Sequence, residues 1–260
     1  MSVFDDPLSN LSRNKQISES CSRGLQALDD LSWDRDLRNA STDFVTHIRR
    51  MCGYASAALD GASLPSAPTE EPDSSPMGQL SNLALVMTAQ ADELVKTFAH
   101  SPFQVWARLH SLNSEDSERG VPRVGNQVND VLHLGELPDA TQVVPRLTAL
   151  ANLIVNSEAP AVLVSAIAHA EIATLRPFNQ SSYIVARATG RLILMSRGVD
   201  PRGFACLEIG LHQMGRTAYS KALRNYTAGN MDDMAQYVET FVQALESGIL
   251  HTRATFEATK

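Results

Sequence analysis

From residue 41 onward, apolar residues recur every three or four positions, and alternating strand-type patterns are scarce. This spacing places apolar side chains on one face of a helix, so it favours a bundle of packed helices. Helices are predicted over residues 44–59, 79–98, 102–112, 143–155, 160–175, 181–197, 203–227 and 231–257. Before about residue 40 the pattern is weak and polar, and it predicts no helix. The fold class predicted from the sequence is mainly α.

One segment departs from the helical pattern. Residues 120–138 read GVPRVGNQVNDVLHLGELP, in which Val, Gly and Asn alternate. The alternation predicts a β-hairpin. A lone hairpin is marginally stable by itself, so we expect it to pack on the helices or to cover a functional cleft as a flap. Val128, Val131 and His133 are the flap residues that we expect to matter.

A polar stretch divides the chain. Residues 62–78 read ASLPSAPTEEPDSSPMG and are rich in Pro, Ser and acid, which is typical of a linker. The prediction is an N-terminal helical extension with its linker over residues 1–78, and a core domain over residues 79–260. With 43% hydrophobic residues the chain can bury a substantial core.

Composition excludes several kinds of partner. The net charge is −7, so the chain lacks the excess of Lys and Arg that general nucleic-acid binding needs. The three cysteines form no CxxC pair, and no metal site is predicted. No apolar run approaches the roughly 20 residues that span a bilayer, and the N-terminus does not read as a secretory leader. We therefore expect a cytoplasmic protein without a membrane or nucleic-acid partner.

The strongest motif lies at residues 169–187, HAEIATLRPFNQSSYIVAR. It resembles the signature of the Fic (Fido) family, in which H-x-x-F-x-x-I-H-P-F precedes an acidic residue and G-N-G-R-x-x-R. His169, Pro177, Phe178 and Arg187 match that signature. The resemblance extends over roughly residues 80–250, and it implies a helical bundle with a β-hairpin flap. It also implies AMP transfer from ATP to a protein hydroxyl.

The departures from the signature fall on its chemistry. Arg176 stands where the family has its catalytic His, and a guanidinium stays protonated, so it cannot serve as a base near pH 7. Gln180 stands at the acidic position that holds Mg²⁺, and an amide is a weaker ligand than a carboxylate. Tyr183 adds bulk where a glycine admits phosphate. Ordinary AMP transfer is therefore not expected.

The altered loop keeps features that suit an anion. It still precedes a predicted helix, and helix N-termini attract anions. The hypothesis is a phosphate or nucleotide pocket, with ATP or another nucleotide as ligand, that binds without turnover. Its candidate residues are Arg176, Asn179, Gln180, Ser181, Ser182 and Arg187.

A second match lies upstream. Residues 56–61, SAALDG, resemble the family's inhibitory motif S/T-x-x-x-E-G/N. In Fic proteins with this motif, the Glu pairs with the last Arg of the signature and blocks the γ-phosphate of ATP. The resemblance pairs Asp60 with Arg187. The alternative, which does not depend on the resemblance, is a structural ion pair of Asp60 with Arg187 or Arg191 that fastens the N-terminal helix to the core.

Several readings stay open on the sequence alone. Arg176 is either a ligand anchor or half of a salt bridge, and His169 is more simply a buried structural residue than a catalytic one. The first hypothesis is a catalytically impaired Fic-fold protein that binds a nucleotide, a protein at the flap, or a second copy of itself. Two alternatives are a divergent transferase that moves a nucleotidyl or phosphate group, and an interaction module with a closed pocket.

Overall fold

The computed structural model describes residues 6–67, 69–113 and 118–259, which contain thirteen α-helices, one 3₁₀ turn and no β-strand. The helices are α1 Ser9–Arg13, α2 Lys15–Ser32, α3 Arg35–Arg38, α4 Thr42–Leu59, α5 Pro76–Glu93, α6 Val95–Phe98, α7 Pro102–His110, α8 Val143–Asn156, α9 Ala161–Leu175, α10 Ser182–Ser196, α11 Leu207–Met214, α12 Arg216–Ala228 and α13 Met231–Glu257, with the 3₁₀ turn at Ala140–Gln142. Among these helices, none combines the length and the hydropathy that crossing a bilayer requires.

Helices α9 and α10 form the centre of the molecule. Every residue of α9 except Glu171 is buried, and so is every residue of α10 except Ser196. A helix that is apolar on all sides has to be surrounded by protein. The two helices pack against each other, and α4, α5, α7, α12 and α13 enclose them. The loop that joins them, residues 176–181, is thereby held against the core at both ends.

Close helix packing near the C-terminus depends on two glycines. A Cβ atom on Gly210 of α11 would lie 1.7 Å from the Ala244 carbonyl oxygen of α13. A Cβ on Gly248 would lie 2.3 Å from the Ala205 carbonyl oxygen. Only a hydrogen in place of the side chain lets these backbones approach so closely.

The first 40 residues differ from the prediction, because they include α1, α2 and α3. Helix α2 packs on α13 and buries an apolar stripe that includes Ile17, Leu28 and Leu31. Arg23 on its outer edge donates to Glu239 at 2.9 Å and to Glu246 at 3.1 Å. The stripe is narrow and most of the helix surface is polar, so the apolar periodicity was too weak to predict the helix.

Other predicted helix boundaries also differ, and the helix predicted over residues 79–98 is broken at Leu94 into α5 and α6. The helix predicted over residues 203–227 is two helices, because Gly215 adopts a left-handed φ of 86° between α11 and α12. Helix α5 begins at Pro76 rather than at residue 79, since the Ser75 hydroxyl accepts a hydrogen bond from the Gly78 N–H and caps it. Proline suits the first helical position because it needs no N–H acceptor there.

The predicted hairpin over residues 120–138 is not a hairpin. This segment, here called the strap, consists of turns and irregular backbone. Several of its carbonyl groups accept hydrogen bonds from side chains instead of from the N–H groups of a facing strand. Arg216 Nη2 donates to the Val131 carbonyl at 2.6 Å, and the Ser220 hydroxyl donates to the Leu132 carbonyl at 2.7 Å. Tertiary contacts therefore replace the strand ladder that the alternating pattern predicted.

Candidate functional site

The loop between α9 and α10 is tight at both ends. Arg176 has φ 47° and Ser181 has φ 60°, so two non-glycine residues adopt the left-handed conformation. The Ser182 hydroxyl accepts from the Phe178 N–H and donates to the Phe178 carbonyl, both at 3.0 Å. The side chain of Ser181, the N-cap residue of α10, makes no capping hydrogen bond within the described part of the chain. Left-handed backbone at both ends and the Ser182–Phe178 hydrogen bonds therefore hold the loop.

Arg176 points into the strap and is 2% exposed. Its Nη1 lies 2.9 Å from Asp130 Oδ2 and 3.2 Å from the Gly135 carbonyl oxygen. Its Nη2 donates to the Glu136 carbonyl at 2.5 Å, and its Nε donates to the Thr174 carbonyl at 3.3 Å. All three nitrogens therefore have partners within the protein. Arg176 acts here as a clamp on the strap.

Arg123 is a second clamp, which sequence reasoning missed. It is 1% exposed, and its guanidinium donates to the Arg176 carbonyl at 2.8 Å and to the Leu175 carbonyl at 3.3 Å. It also donates to the carbonyls of Gly125 at 2.8 Å and Pro138 at 2.6 Å. The signal in the sequence is a single arginine inside the otherwise uncharged segment GVPRVG. Its side chain satisfies the C-terminal carbonyls of α9 and both ends of the strap.

Asp130 joins the strap to α10, and it too was missed. Its carboxylate accepts hydrogen bonds from Arg176 and from the Tyr183 hydroxyl. Burial and the neighbouring Asp130 carboxylate raise the pKa of Tyr183 well above its ordinary value, so the phenol stays protonated. The Asn129 N–H donates to the Asn179 carbonyl at 2.8 Å. The strap and the signature loop thus form one hydrogen-bonded unit.

Asp60 and Arg187 meet inside the protein. Asp60 Oδ1 lies 2.8 Å from Arg187 Nη2, and Arg187 also donates to the Ser56 hydroxyl at 2.8 Å and to the Ser56 carbonyl at 2.9 Å. Burial opposes the charge of Arg187, but the Asp60 carboxylate raises the pKa of that guanidinium. Arg191 instead pairs with Asp92, at 2.9 Å. Helix α10 is thus fastened to the end of α4 by the Asp60–Arg187 pair and to α5 by the Asp92–Arg191 pair.

His169 lies in the core, next to this ion pair. Its Nε2 is 2.8 Å from the Tyr219 hydroxyl, and its Nδ1 is 2.8 Å from the Tyr237 hydroxyl. Because Tyr237 donates its single proton to the Ala166 carbonyl, it accepts from Nδ1–H, and Tyr219 donates to Nε2. Burial and the nearby Arg187 charge lower the pKa of His169 to about 3. The imidazole is therefore neutral, and its role is structural.

A cleft of about 410 Å³ opens between α5, the strap and the signature loop. Its lining residues are Asp60, Pro76, Met77, Gln79, Leu80, Asn82, Leu83, Val86, Leu112, Asn113, Asn129, Val131, Gln180, Ser181 and Tyr183. A shallower depression adjoins it and shares Asn129 and Gln180; its other lining residues are Gln127, Val128 and Asn179. We call the two together the amide groove, because seven carboxamide side chains line it. Asp60 is its only charged residue among those that the structure describes.

The structure separates the predicted site residues into two sets. Those that line the groove are Asp60, Asn179, Gln180, Ser181, Val128 and Val131. Those buried behind it are Arg176, Ser182, Arg187, His169, Pro177 and Phe178. His133 is exposed but lines neither part, and its carbonyl accepts from Arg224 at 3.3 Å. Over the described ranges, no three His, Cys, Asp or Glu side chains lie close enough to hold a metal ion.

Solved structures define the class to which this architecture belongs. A Fic family protein from Desulfovibrio desulfuricans G20 superposes with a TM-score of 0.76 at 17% identity, covering 97% of this chain and 77% of that one. Fic-1 (residues 134–508) from C. elegans gives 0.66 at 17% identity, covering 94% and 75%. A Fic domain containing signaling protein from Bacteroides thetaiotaomicron VPI-5482 gives 0.55 at 10% identity, covering 94% and 98%.

The chain therefore has the Fic fold, as the signature resemblance predicted. The sequence matches no protein-family model and no curated protein. At these identities the shared architecture describes the fold, and the function has to be argued from this chain's own residues.

Proposed function

We propose that this Fic-fold protein does not transfer AMP and acts by binding a ligand or a protein in the amide groove. The observation that carries the proposal is the environment of Arg176. The residue at the catalytic position of the signature is buried, ion-paired with Asp130 and hydrogen-bonded to three carbonyls. A cationic group in that state accepts no proton and reaches no substrate.

Among its described lining residues, the groove offers no replacement for the missing base. General base catalysis requires a group whose pKa lies near the working pH and within hydrogen-bond reach of the substrate. Asp60 is tied to Arg187, and the raised pKa of Tyr183 keeps its hydroxyl protonated. The other polar lining side chains are carboxamides and Ser181, which do not titrate. These groups support a binding role over the alternative of a divergent transferase.

Nucleotide binding without turnover keeps one observation in its favour. The Ser181 side chain makes no capping hydrogen bond to α10 within the described residues, and Ser181 lines the groove. Free N–H groups and the helix dipole attract a phosphate at such a position. Against it, both arginines that the hypothesis named are buried and ion-paired, Arg187 with Asp60 and Arg176 with Asp130, and neither lines the groove. We therefore rank nucleotide binding second to the binding of an uncharged partner.

The test combines binding with transfer. Wild-type protein and an Asp60→Asn variant, which frees Arg187 from its partner, are titrated calorimetrically with ATP, with and without Mg²⁺. Both are then incubated with α-labelled ATP and a bacterial lysate. We expect no AMP attached to any protein in either case, since neither variant supplies a base.

Labelled AMP that becomes attached to a protein only when the wild-type or the Asp60→Asn protein is present would overturn the proposal. Label that appears only in the variant would show that the Asp60–Arg187 pair suppresses a working site. ATP binding by wild type without transfer would move the nucleotide to first place as the ligand. A Glu136→Gln variant is the matched control, because only the carbonyl of this exposed strap residue is used.

A further inference from the structure

The geometry points to an uncharged extended peptide segment as the occupant of the amide groove. This inference deepens the proposed function, because it names the ligand class of the same site. The lining residues with carboxamides come from α5, from the turn after α7, from the strap and from the signature loop. They are Gln79, Asn82, Asn113, Gln127, Asn129, Asn179 and Gln180. Four separate parts of the chain converge on one kind of functional group.

Carboxamides are suited to a peptide backbone. Each has a carbonyl acceptor and an NH₂ donor in one plane, so it can pair with a peptide N–H and C=O together. The side chains of Asn82, Asn129 and Gln180 are exposed and make no hydrogen bond within the described part of the chain. Their donors and acceptors are therefore available to a ligand without breaking an existing contact.

The charge of the groove disfavours a phosphate. No Lys, Arg or His is among its described lining residues, and Asp60 places a carboxylate in its wall. The nearby cations already have partners: Arg176 pairs with Asp130, Arg187 with Asp60, and Arg216 donates to the Val131 carbonyl. An anion moved from water into this site would lose hydration without gaining a counter-charge.

The walls also disfavour a nucleobase. Bases in protein sites usually stack on an aromatic ring or an arginine plane. Tyr183 has the only aromatic ring among the described lining residues. It is 2% exposed, and its hydroxyl donates a hydrogen bond to Asp130. The groove instead offers aliphatic side chains on α5, of which Met77 is 46% and Val86 is 42% exposed. Such a wall suits the apolar side chains of a peptide.

The size of the site agrees with a short segment. The deep part alone holds about 410 Å³, within the roughly 300–1,000 Å³ typical of ligand pockets. The shallow part continues it past Gln180 and is open to solvent, so a chain can enter and leave at its ends. We therefore expect backbone recognition by the amides and side-chain selection by the α5 wall.

The experiment uses a phage-displayed library of random peptides as its probe. The library is selected on the full-length wild-type protein and counter-selected on an Asn82→Ala/Gln180→Ala double variant. Both positions are exposed, so the double variant should fold, which its melting temperature checks. Enriched peptides are synthesised and their Kd values are measured on wild type, on the double variant and on Gln236→Ala, an exposed glutamine of α13 outside the groove.

We expect peptides without acidic residues, an affinity at least about tenfold weaker on the double variant, and an unchanged affinity on Gln236→Ala; tenfold corresponds to one or two lost hydrogen bonds. ATP and inorganic phosphate at millimolar concentration should not displace the peptide. Failure to enrich any peptide, equal binding by the double variant, or displacement by ATP would each overturn the inference. AMP transfer by the wild-type protein would instead refute the proposed function, so the two failures are distinguishable.

Discussion

Arg176 illustrates how one residue sets the character of the site. A guanidinium carries five N–H donors and has to satisfy them when it is buried. The Asp130 carboxylate and the strap carbonyls provide the acceptors. The sequence left two roles for Arg176, a ligand anchor or half of a salt bridge, and the structure places it in a salt bridge. Its partner lies 46 residues away in the strap, so local sequence patterns gave no indication of it.

His169 provides a prediction at the same scale. Its folded pKa of about 3 lies below the ordinary value of 6.5. A depressed histidine pKa means that the unfolded state binds the proton first, so the stability from this residue is complete above about pH 6.5 and is lost as the pH falls toward 3. The free energy of unfolding of wild type should therefore fall more steeply than that of His169→Gln, by up to about 1.4 kcal/mol per pH unit.

Urea unfolding at pH 7, 6, 5 and 4 measures this difference. The His169→Gln variant should start less stable at pH 7, because it loses contacts to Tyr219 and Tyr237. A His100→Gln variant, changed at an exposed position, should keep the wild-type pH dependence. Parallel curves for wild type and His169→Gln would show that His169 is not held neutral in the core.

The strap is the element whose conformation the sequence did not predict. Its alternating Val and Asn residues resemble a hairpin, yet its backbone bonds to the signature loop and to side chains of α12 rather than forming a strand ladder. The alternation of apolar and polar residues indicates which side chains face outward, but it does not indicate which hydrogen-bond partners the backbone will meet. Two buried arginines and one aspartate, all distant in sequence from their partners, decide the outcome.

An Asp130→Asn substitution should loosen the strap. It removes the charge that pairs with Arg176, and a buried charge without its partner is destabilising, typically by about 3–5 kcal/mol in a fully buried site. Because the Asp130 side chain is 23% exposed, we expect a smaller loss, about 2 kcal/mol. Hydrogen exchange measured by mass spectrometry should show faster exchange across residues 120–138.

Glu136→Gln is the control for this experiment, since it removes a charge from the same strap without touching Arg176's carboxylate partner. Its exchange should match that of wild type. If Asp130→Asn also leaves exchange in the strap unchanged, the clamp is not what orders this segment.

At the scale of the whole molecule, one hydrophobic core joins the N-terminal helices to the rest. The buried apolar side chains form one contiguous cluster in space, which includes Leu8 just before α1, Ile17 on α2 and Ile249 on α13. The division of the chain at residue 78 into an N-terminal extension and a core domain stays a prediction. Helix α2 packs on α13, and α4 packs on α5 and α11.

A Leu28→Ala substitution tests whether this packing is cooperative. Leu28 is 1% exposed on α2, so its truncation should cost about 2–5 kcal/mol. Unfolding followed by circular dichroism and by the fluorescence of buried Trp106 should shift together to a lower urea midpoint, as a single cooperative unit requires. Leu250→Ala, at a 68% exposed position, should change stability by less than about 0.5 kcal/mol. Separate midpoints for the two signals would mean that the extension unfolds independently.

The sequence by itself determined the helical class, most helices after residue 41 and the signature loop, because apolar periodicity, caps and glycines act over a few residues. It also placed an arginine, Arg176, at the position of the histidine in the signature. Only the tertiary structure decided the roles of Arg123, Asp130 and Tyr183, the irregular strap and the amide groove. These features depend on contacts between side chains that lie tens of residues apart in the sequence. Buried charges and carbonyl groups interact with whatever groups lie near them in space, and a local sequence pattern does not contain that information.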